Sequence, residues 1–286
     1  MKLLNFSAAG RSSVGALADG GVVDVGARLG APVRELLELI RSSELATALE
    51  LARSAPADHA LDAVQIHSPA GRHTRYFCIG VNYPERNEEY KDGSERPRYP
   101  SLFMRTHTSL VAPGAPLVRP RESEQLDYEG EIVVFIGHGG RRIPRQQALQ
   151  HVFGYTCGNE GTVRDWLRHA KFNVTQGKNF DRTGSLGPWV LTAEEVGAAP
   201  LRVSTRVNGE LRQDDTSDRM LFDIPYLIAY LSSFCTLEPG DVIFSGTPSG
   251  AGARFDPPRY LRPGDVVEVQ VSGVGTLRNP VIDDEH

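Results

Sequence analysis

The sequence predicts a β-rich fold of the mixed α+β class. Short apolar runs rich in Val, Ile, Leu and Phe recur along most of the chain, and glycine, proline or asparagine interrupts them at close intervals. Few stretches have helical periodicity, and strands do not alternate regularly with helices as they do around a parallel sheet. Internal repeats and low-complexity tracts are absent from the sequence. Together these observations favour a strand-dominated main domain.

The first 68 residues are predicted to form a small N-terminal α/β domain, and residues 69–286 the main domain. Two short strands at 3–6 and 22–25 flank glycine-rich turns, and a helix is predicted at 33–51, where Leu and Ile recur at roughly helical intervals. A proline-containing break follows this helix. Because nothing in this part suggests chemistry, we expect it to serve packing or an interface.

Composition and charge exclude several classes of protein. Hydrophobic residues make up 40% of the chain, and its net charge of −5 comes without a basic cluster, so nucleic acid is not an expected partner. The sequence has no apolar run long enough to span a membrane and no apolar signal segment at its start, which favours a cytoplasmic protein. Its cysteines, Cys78, Cys157 and Cys235, fit neither a disulfide framework nor a zinc motif, as is typical of a reducing compartment, and are expected to be buried.

A pair of glutamates marks the start of the most apolar predicted strand. Glu129 and Glu131 precede the run 132–136, which is β-branched and ends at Gly137. Residues two apart on a strand point to the same side, so both carboxylates should project together from the edge of the core. Such a pair suits a hard divalent cation. The alternative is an exposed strand start that carries two solvated glutamates.

Around this pair the chain is expected to alternate between strands and a charged loop. A strand is predicted at 76–81, and strand-like character returns at 101–111. The intervening segment 85–100 is charged and punctuated by proline, so it is expected to be a surface loop or lid.

A second carboxylate position follows the next strand. The stretch 154–160 is predicted to be a strand that ends in polar residues, with a helix before it at 146–152 and another after it at 162–170. Thr162 is the expected N-cap of the later helix. Glu160 is thereby placed between a strand end and a helix start, which is a common position for ligands.

The last third of the chain contains a predicted hairpin, a helix and a closing strand. Asn208-Gly209 follows the strand at 201–207 and is a strong hairpin signal. A helix is predicted at 224–234, and alternating apolar residues predict a strand at 267–271.

Five short blocks carry a family resemblance over roughly residues 72–284. In chain order they are Gly80-Val81-Asn82-Tyr83, Asp127-Tyr128-Glu129-Gly130-Glu131, Gly177-Lys178-Asn179-Phe180-Asp181 with Leu186-Gly187-Pro188-Trp189, Asn208-Gly209-Glu210-Leu211-Arg212-Gln213, and Gly240-Asp241-Val242-Ile243 with Gly246-Thr247-Pro248. Each block alone is weak evidence. Their order and spacing together resemble the fumarylacetoacetate hydrolase family.

The resemblance implies a β-roll main domain, commonly in a homodimer, and a divalent metal, commonly Mg²⁺, with Mn²⁺ or Ca²⁺ as alternatives. Its metal ligands would map to Glu129, Glu131 and Glu160. It implies small 2-oxo or 2,4-dioxo acid substrates from the catabolism of aromatic or sugar-acid compounds. Members of the family hydrolyse a C–C bond, isomerise or decarboxylate such acids through a metal-stabilised enolate.

The resemblance also implies roles for other residues. Lys178 would stabilise the developing oxyanion, and Thr247 would bind the substrate carboxylate. Tyr83 and Gln213 are weaker candidates for substrate binding. Glu89 would be the base that activates water for hydrolysis.

Three positions depart from the family pattern. Glu160 stands where aspartate is usual, and Arg105 where lysine is usual. Arg86 stands where a histidine usually forms a dyad with the residue at Glu89. Because an arginine stays protonated, Arg86 cannot replace the histidine as a general base. Its planar guanidinium suits a carboxylate, so we expect it to bind a second, distal carboxylate of the substrate. The alternative is that it only pairs with neighbouring glutamates on a solvated loop. C–C hydrolysis is the first expectation, narrowly ahead of tautomerisation. A binder of oxo acids without activity is a further alternative.

Overall fold

Strands dominate the chain, which confirms the predicted β-rich α+β class. The computed structural model describes residues 1–30, 33–84, 97–169, 173–197 and 199–285. In chain order the strands are β1 (Lys2–Ala8), β2 (Arg11–Ala18), β3 (Gly21–Val23), β4 (Gln65–His67), β5 (Tyr76–Gly80), β6 (Ser101–Arg105), β7 (Leu110–Val111), β8 (Leu117–Arg119), β9 (Leu126–Asp127), β10 (Gly130–Ile136), β11 (Val152–Asn159), β12 (Thr162–Val163), β13 (Gly184–Thr192), β14 (Arg202–Val207), β15 (Glu210–Thr216), β16 (Val242–Phe244), β17 (Val266–Val271) and β18 (Gly275–Asp283).

The helices are few and short. The α-helices are α1 (Val25–Arg28), α2 (Leu36–Arg41), α3 (Leu45–Ser54), α4 (Thr175–Lys178) and α5 (Ile224–Phe234). Short 3₁₀ helices lie at Leu61–Ala63, His107–Ser109, Arg145–His151, Arg164–Arg168, Ala193–Glu195, Ser217–Arg219 and Gly252–Arg254. Within the described ranges, the helices are too short or too polar to cross a membrane.

Two sheets form the body of the molecule. The larger has the strand order β3-β2-β1-β13-β11-β10-β16-β5-β6, with β4 paired to β1 and β7 to β13. The smaller has the order β15-β14-β17-β18-β8. The predicted hairpin is confirmed, since β14 and β15 pair in antiparallel fashion on either side of Asn208-Gly209. β9 and β12 form a separate two-stranded sheet.

Strand β10 is buried on both faces, which explains its continuous apolar sequence. Ile132 and Val134 belong to the core between the two sheets, together with residues of β14 and β17. Val133 and Phe135 belong to a second core with residues of α2 and α3. By the same alternation, Glu131 lies on the face of Val133, and Gly130 lies on the face that meets the smaller sheet.

The N-terminal strands continue the larger sheet. β1 pairs with β13 through Lys2 and Leu3, and β2, β3 and β4 extend the sheet from β1. The boundary predicted at residue 68 therefore falls between two strands of one sheet. The division into a small N-terminal domain, residues 1–68, and a main domain, residues 69–286, stays a prediction.

Two local helix predictions are wrong. The helix predicted at 33–51 is two helices, because Ser42 ends α2 and its hydroxyl donates to Leu39 O. The helix predicted at 162–170 is replaced by β12 and a 3₁₀ turn. Thr162 pairs with Asp127 in the two-stranded sheet, and its hydroxyl donates to Glu160 O instead of capping a helix.

Candidate functional site

The three predicted metal ligands lie together where β10 begins and β11 ends. Glu160 N donates to Glu129 O at 2.8 Å, which sets these residues opposite each other across the two chain segments. Glu131 lies two residues along, so all three side chains share one face. Oxygens of the three carboxylates lie within 4.8 Å of one another, and all three residues are buried. The alternative of two solvated glutamates at an exposed strand start is therefore wrong.

The residue between the first two glutamates has no room for a side chain. A Cβ on Gly130 would lie 1.9 Å from Thr205 Oγ1 and 3.3 Å from Val269 Cγ1, both on the smaller sheet. Thr205 is fully buried, which leaves its side chain little space to move. Glycine at position 130 therefore allows the second sheet to approach the backbone that carries both carboxylates.

Replacing Gly130 with alanine is expected to destabilise the fold. An overpacked core position costs about 1–3 kcal/mol, because backbone and neighbours must shift. Thermal unfolding of the Gly130→Ala variant checks this, with Gly30→Ala as the control, since a Cβ on exposed Gly30 meets nothing within 4 Å. Equal melting temperatures for the two variants would contradict the close approach of Thr205.

Two buried cations hold the carboxylates. Lys178 Nζ donates to Glu129 Oε2 at 2.6 Å and to Glu160 Oε2 at 2.7 Å. Arg164 contacts Glu129 Oε1 through Nη2 at 2.6 Å, and its Nε donates to Asp127 Oδ2 at 2.8 Å. Sequence reasoning missed Arg164. Its place four residues after Glu160 was the available signal.

The positive and negative charges of the residues in this cluster do not cancel. Asp127, Glu129, Glu131 and Glu160 are four carboxylates, whereas Lys178 and Arg164 are two cations, which leaves a formal charge of −2 when all are ionised. All six residues have little or no exposed side chain. A divalent cation would neutralise the excess, which is the electrostatic condition for holding one there.

Burial and neighbouring charge shift the proton affinities of the cluster. Burial, reinforced by Glu160 and Glu129, raises the pKa of Glu131 well above its usual range, although Lys178 and the Gly246 N–H oppose the shift. For Lys178, burial lowers the pKa, but Glu129 and Glu160 outweigh it, so the net pKa is raised. Lys178 therefore remains an ammonium ion in this arrangement.

The donor set fits a hard divalent ion. Glu131 Oε1 and Glu160 Oε1 are buried and have no hydrogen-bond partner among the described residues. Buried carboxylate oxygens without a partner are costly, and a cation would satisfy both. Because every candidate ligand is oxygen, the chemistry favours Mg²⁺, Mn²⁺ or Ca²⁺ over softer metals.

A small cleft opens onto the carboxylates. It has a volume of about 100 Å³. Its polar lining includes Arg164, Lys178, Thr247 and Ser101, and its walls include apolar residues such as Leu167. A larger cavity of about 600 Å³ lies in the N-terminal region and is lined by none of the three glutamates.

The predicted substrate-binding residues occupy different places. Thr247 lines the cleft, whereas Tyr83 and Gln213 are buried and are not among its lining residues. Burial raises the pKa of the Tyr83 hydroxyl, and that oxygen has no partner in the described part of the chain. Arg86 and Glu89 lie outside the described residues, so their predicted roles stay predictions.

Sequence and structure comparisons decide the family. A model of the fumarylacetoacetate hydrolase C-terminal domain matches residues 75–282. The chain belongs to the fumarylacetoacetate hydrolase family. It is 40% identical to the oxaloacetate tautomerase YisK of Bacillus subtilis over 78% of this chain and 75% of that one. It is also 36% identical to the mitochondrial oxaloacetate tautomerase fahd2 of Xenopus laevis over 93% and 84% of the two chains.

A solved structure adds a metal-bound comparison. Maleylpyruvate hydrolase from Sphingobium sp. SYK-6, crystallised with manganese(II) and pyruvate, superposes with a TM-score of 0.81 at 28% identity. All of both chains is covered. Divalent metal is thus present within the fumarylacetoacetate hydrolase fold.

Two family blocks meet beside the cleft. The Asn82 side chain donates to Ser245 O at 2.7 Å and Phe222 O at 2.9 Å, which joins the first block to the last. A Cβ on Gly246, whose φ is +98°, would lie 2.6 Å from Asn82 Cβ. The close packing of these blocks positions the Gly246 N–H, which donates to Glu131 Oε2 at 2.7 Å.

Arginine at the usual lysine position of the family is accommodated by neutral acceptors. Buried Arg105 donates to Gly161 O at 2.9 Å, Ser109 Oγ at 3.0 Å and Thr183 Oγ1 at 3.2 Å. These contacts fix the backbone directly after Glu160. Arginine at position 105 therefore still holds the backbone next to Glu160, the third proposed ligand.

Proposed function

We propose that this chain is a divalent-metal-dependent tautomerase of small 2-oxo dicarboxylic acids of the oxaloacetate type. It would move a proton between C3 and the 2-oxo oxygen of the substrate. The observation that carries the proposal is the composition of the cleft, where a buried ammonium and a guanidinium lie beside three carboxylates. The named activity of two relatives supports the same reaction.

Each group in the cleft has a role in this reaction. Glu129, Glu131 and Glu160 would hold the ion, Mg²⁺ or Mn²⁺, which when bound polarises the 2-oxo group. The Lys178 ammonium would donate to the oxygen that gains negative charge as C3 loses its proton. Arg164 adds a second positive charge, which favours a dianionic substrate. Thr247 lies at the cleft wall, where a substrate carboxylate would bind; because its hydroxyl donates to Gly130 O, its backbone N–H would be the donor to that carboxylate.

Tautomerisation requires fewer catalytic groups in the cleft than hydrolysis does. Cleavage of a C–C bond needs a base that activates water. The described lining of the cleft contains no histidine, and its carboxylates are the proposed metal ligands. Hydrolysis by Glu89 stays a prediction, and the similarity to a maleylpyruvate hydrolase is the observation that favours it. Decarboxylation, the homodimer, the cytoplasmic location and the reading of a distal acid by Arg86 also stay predictions.

A direct rate comparison tests the proposal. With Mg²⁺ or Mn²⁺ present, the protein should speed the loss of the ultraviolet absorbance of enol-oxaloacetate, and removal of the metal by a chelator should abolish the effect. A panel of acylpyruvates, including maleylpyruvate and fumarylpyruvate, measures C–C cleavage in the same samples. Faster turnover of an acylpyruvate would establish hydrolysis instead. A tautomerisation rate equal to that of metal in buffer would refute the proposal.

A further inference from the structure

We propose that Gln213 is a positioning residue for the metal ligands and does not contact the substrate. This inference rests on the metal site of the proposed function. Gln213 is 1% exposed and lies on β15 of the smaller sheet, directly opposite Thr205 of β14. Gln213 is not among the residues that line the cleft.

The amide of Gln213 connects two loops through both of its ends. Its Oε1 accepts from Gly130 N at 2.9 Å, and Gly130 is the residue between two of the proposed ligands. Its Nε2 donates to Thr247 Oγ1 at 2.8 Å and to Pro248 O at 2.9 Å. The side chain thus ties the Glu129–Glu131 segment to the Gly246–Pro248 turn.

The hydrogen bonds among Gly130, Gln213 and Thr247 form a closed ring. Thr247 Oγ1 donates in turn to Gly130 O at 2.9 Å. Both polar backbone groups of Gly130 are therefore bound, one by Gln213 and the other by Thr247. The same turn supplies the Gly246 N–H that donates to Glu131 Oε2 at 2.7 Å. All of these atoms belong to buried residues, where a hydrogen bond holds position more firmly than at a wet surface.

The geometry gives Gln213 a defined task. Gly130 has no side chain, so its peptide orientation depends on what binds its N–H and C=O. A rotation there would turn Glu129 and Glu131 away from each other. Groups that orient metal ligands in this way typically change metal affinity about 10–100-fold when removed.

The test measures Mn²⁺ binding to the full-length protein without substrate. Gln213→Met keeps the length of the side chain and removes both hydrogen-bonding ends. We expect its dissociation constant for Mn²⁺ to rise about 10–100-fold. At saturating Mn²⁺ most of the tautomerase activity of Gln213→Met should return, whereas loss of a glutamine that contacts the substrate would keep the activity low at any Mn²⁺ concentration.

A matched control separates this effect from general loss of stability. Asn279 is another buried amide, and its Nδ2 donates to Ala112 O at 2.9 Å and Ala115 O at 2.8 Å. Asn279→Leu should lower the melting temperature and leave Mn²⁺ affinity unchanged. Equal losses of affinity in Asn279→Leu and Gln213→Met would overturn the inference.

A second pair of variants tests the hydrogen bonds made by Thr247. These variants can still refute the inference if Gln213→Met does not fold. Thr247→Val removes the hydroxyl that joins Gln213 to Gly130 O, and it should weaken Mn²⁺ binding. Thr247→Ser restores the hydroxyl and should restore the affinity.

Wild-type Mn²⁺ affinity in Gln213→Met or Thr247→Val would refute the positioning role alone. A wild-type protein that binds no Mn²⁺ would refute the metal site as well. Wild-type binding without tautomerase activity would refute only the proposed reaction.

Discussion

The Glu131→Gln variant is expected to lose divalent-metal binding and activity while it keeps its fold. Glu131 offers a buried oxygen without a hydrogen-bond partner among the described residues, and glutamine removes the charge that would bind the ion. The dissociation constant for Mn²⁺ should rise more than about a hundredfold, since even partners of ligands change it 10–100-fold. Titration calorimetry with Mn²⁺ measures the loss.

The same substitution should not destabilise the metal-free protein. Glutamine can still accept the Gly246 N–H, and it removes one of three carboxylates that repel one another in a buried cluster. At neutral pH the metal-free variant should therefore melt at or above the wild-type temperature. Exposed Glu124 provides the control, because Glu124→Gln should change neither property. Unchanged Mn²⁺ affinity in Glu131→Gln would show that the assigned ligand set is wrong.

The Lys178→Met variant is expected to lose activity by about 10²–10³-fold while it keeps its metal. Removing one donor aimed at a developing oxyanion has an effect of this size. Methionine also releases Glu129 Oε2 and Glu160 Oε2 from the ammonium, so Mn²⁺ affinity should stay the same or increase. Exchange of the C3 protons of a simple 2-oxo acid with D₂O, followed by NMR, measures the chemical step.

Stability provides an independent check of the same variant. Without metal, Lys178→Met takes the ammonium away from buried Glu160 and leaves Glu129 paired with Arg164 alone, so its melting temperature should fall, and Mn²⁺ should reverse the fall. Lys2→Met is the control, since Lys2 lies over the Trp189 ring outside the cleft and should affect neither exchange nor metal binding. Wild-type exchange in Lys178→Met would rule out the oxyanion role. Loss of Mn²⁺ binding would instead mean that the lysine acts through the metal site.

The sequence by itself determined the features that depend on local periodicity. The alternation of a strand placed Glu129 and Glu131 on one face, and their burial with Glu160 agrees with that expectation. The turn at Asn208-Gly209 and the helix at Ile224–Phe234 followed from short-range signals and were correctly predicted. Each of these depends on neighbours a few residues apart along the chain.

Tertiary structure alone decided the rest of the site. Arg164 reaches Glu129 because Thr162 and Val163 pair with β9, although local propensity predicted a helix there. Gln213 reaches Gly130 because two sheets pack face to face, across 83 residues of sequence. Such contacts join residues that are far apart in the sequence and separated by no regular interval. A local sequence pattern therefore cannot predict them. They form because burying two apolar sheet faces brings those strands together, and the buried polar groups then bind one another.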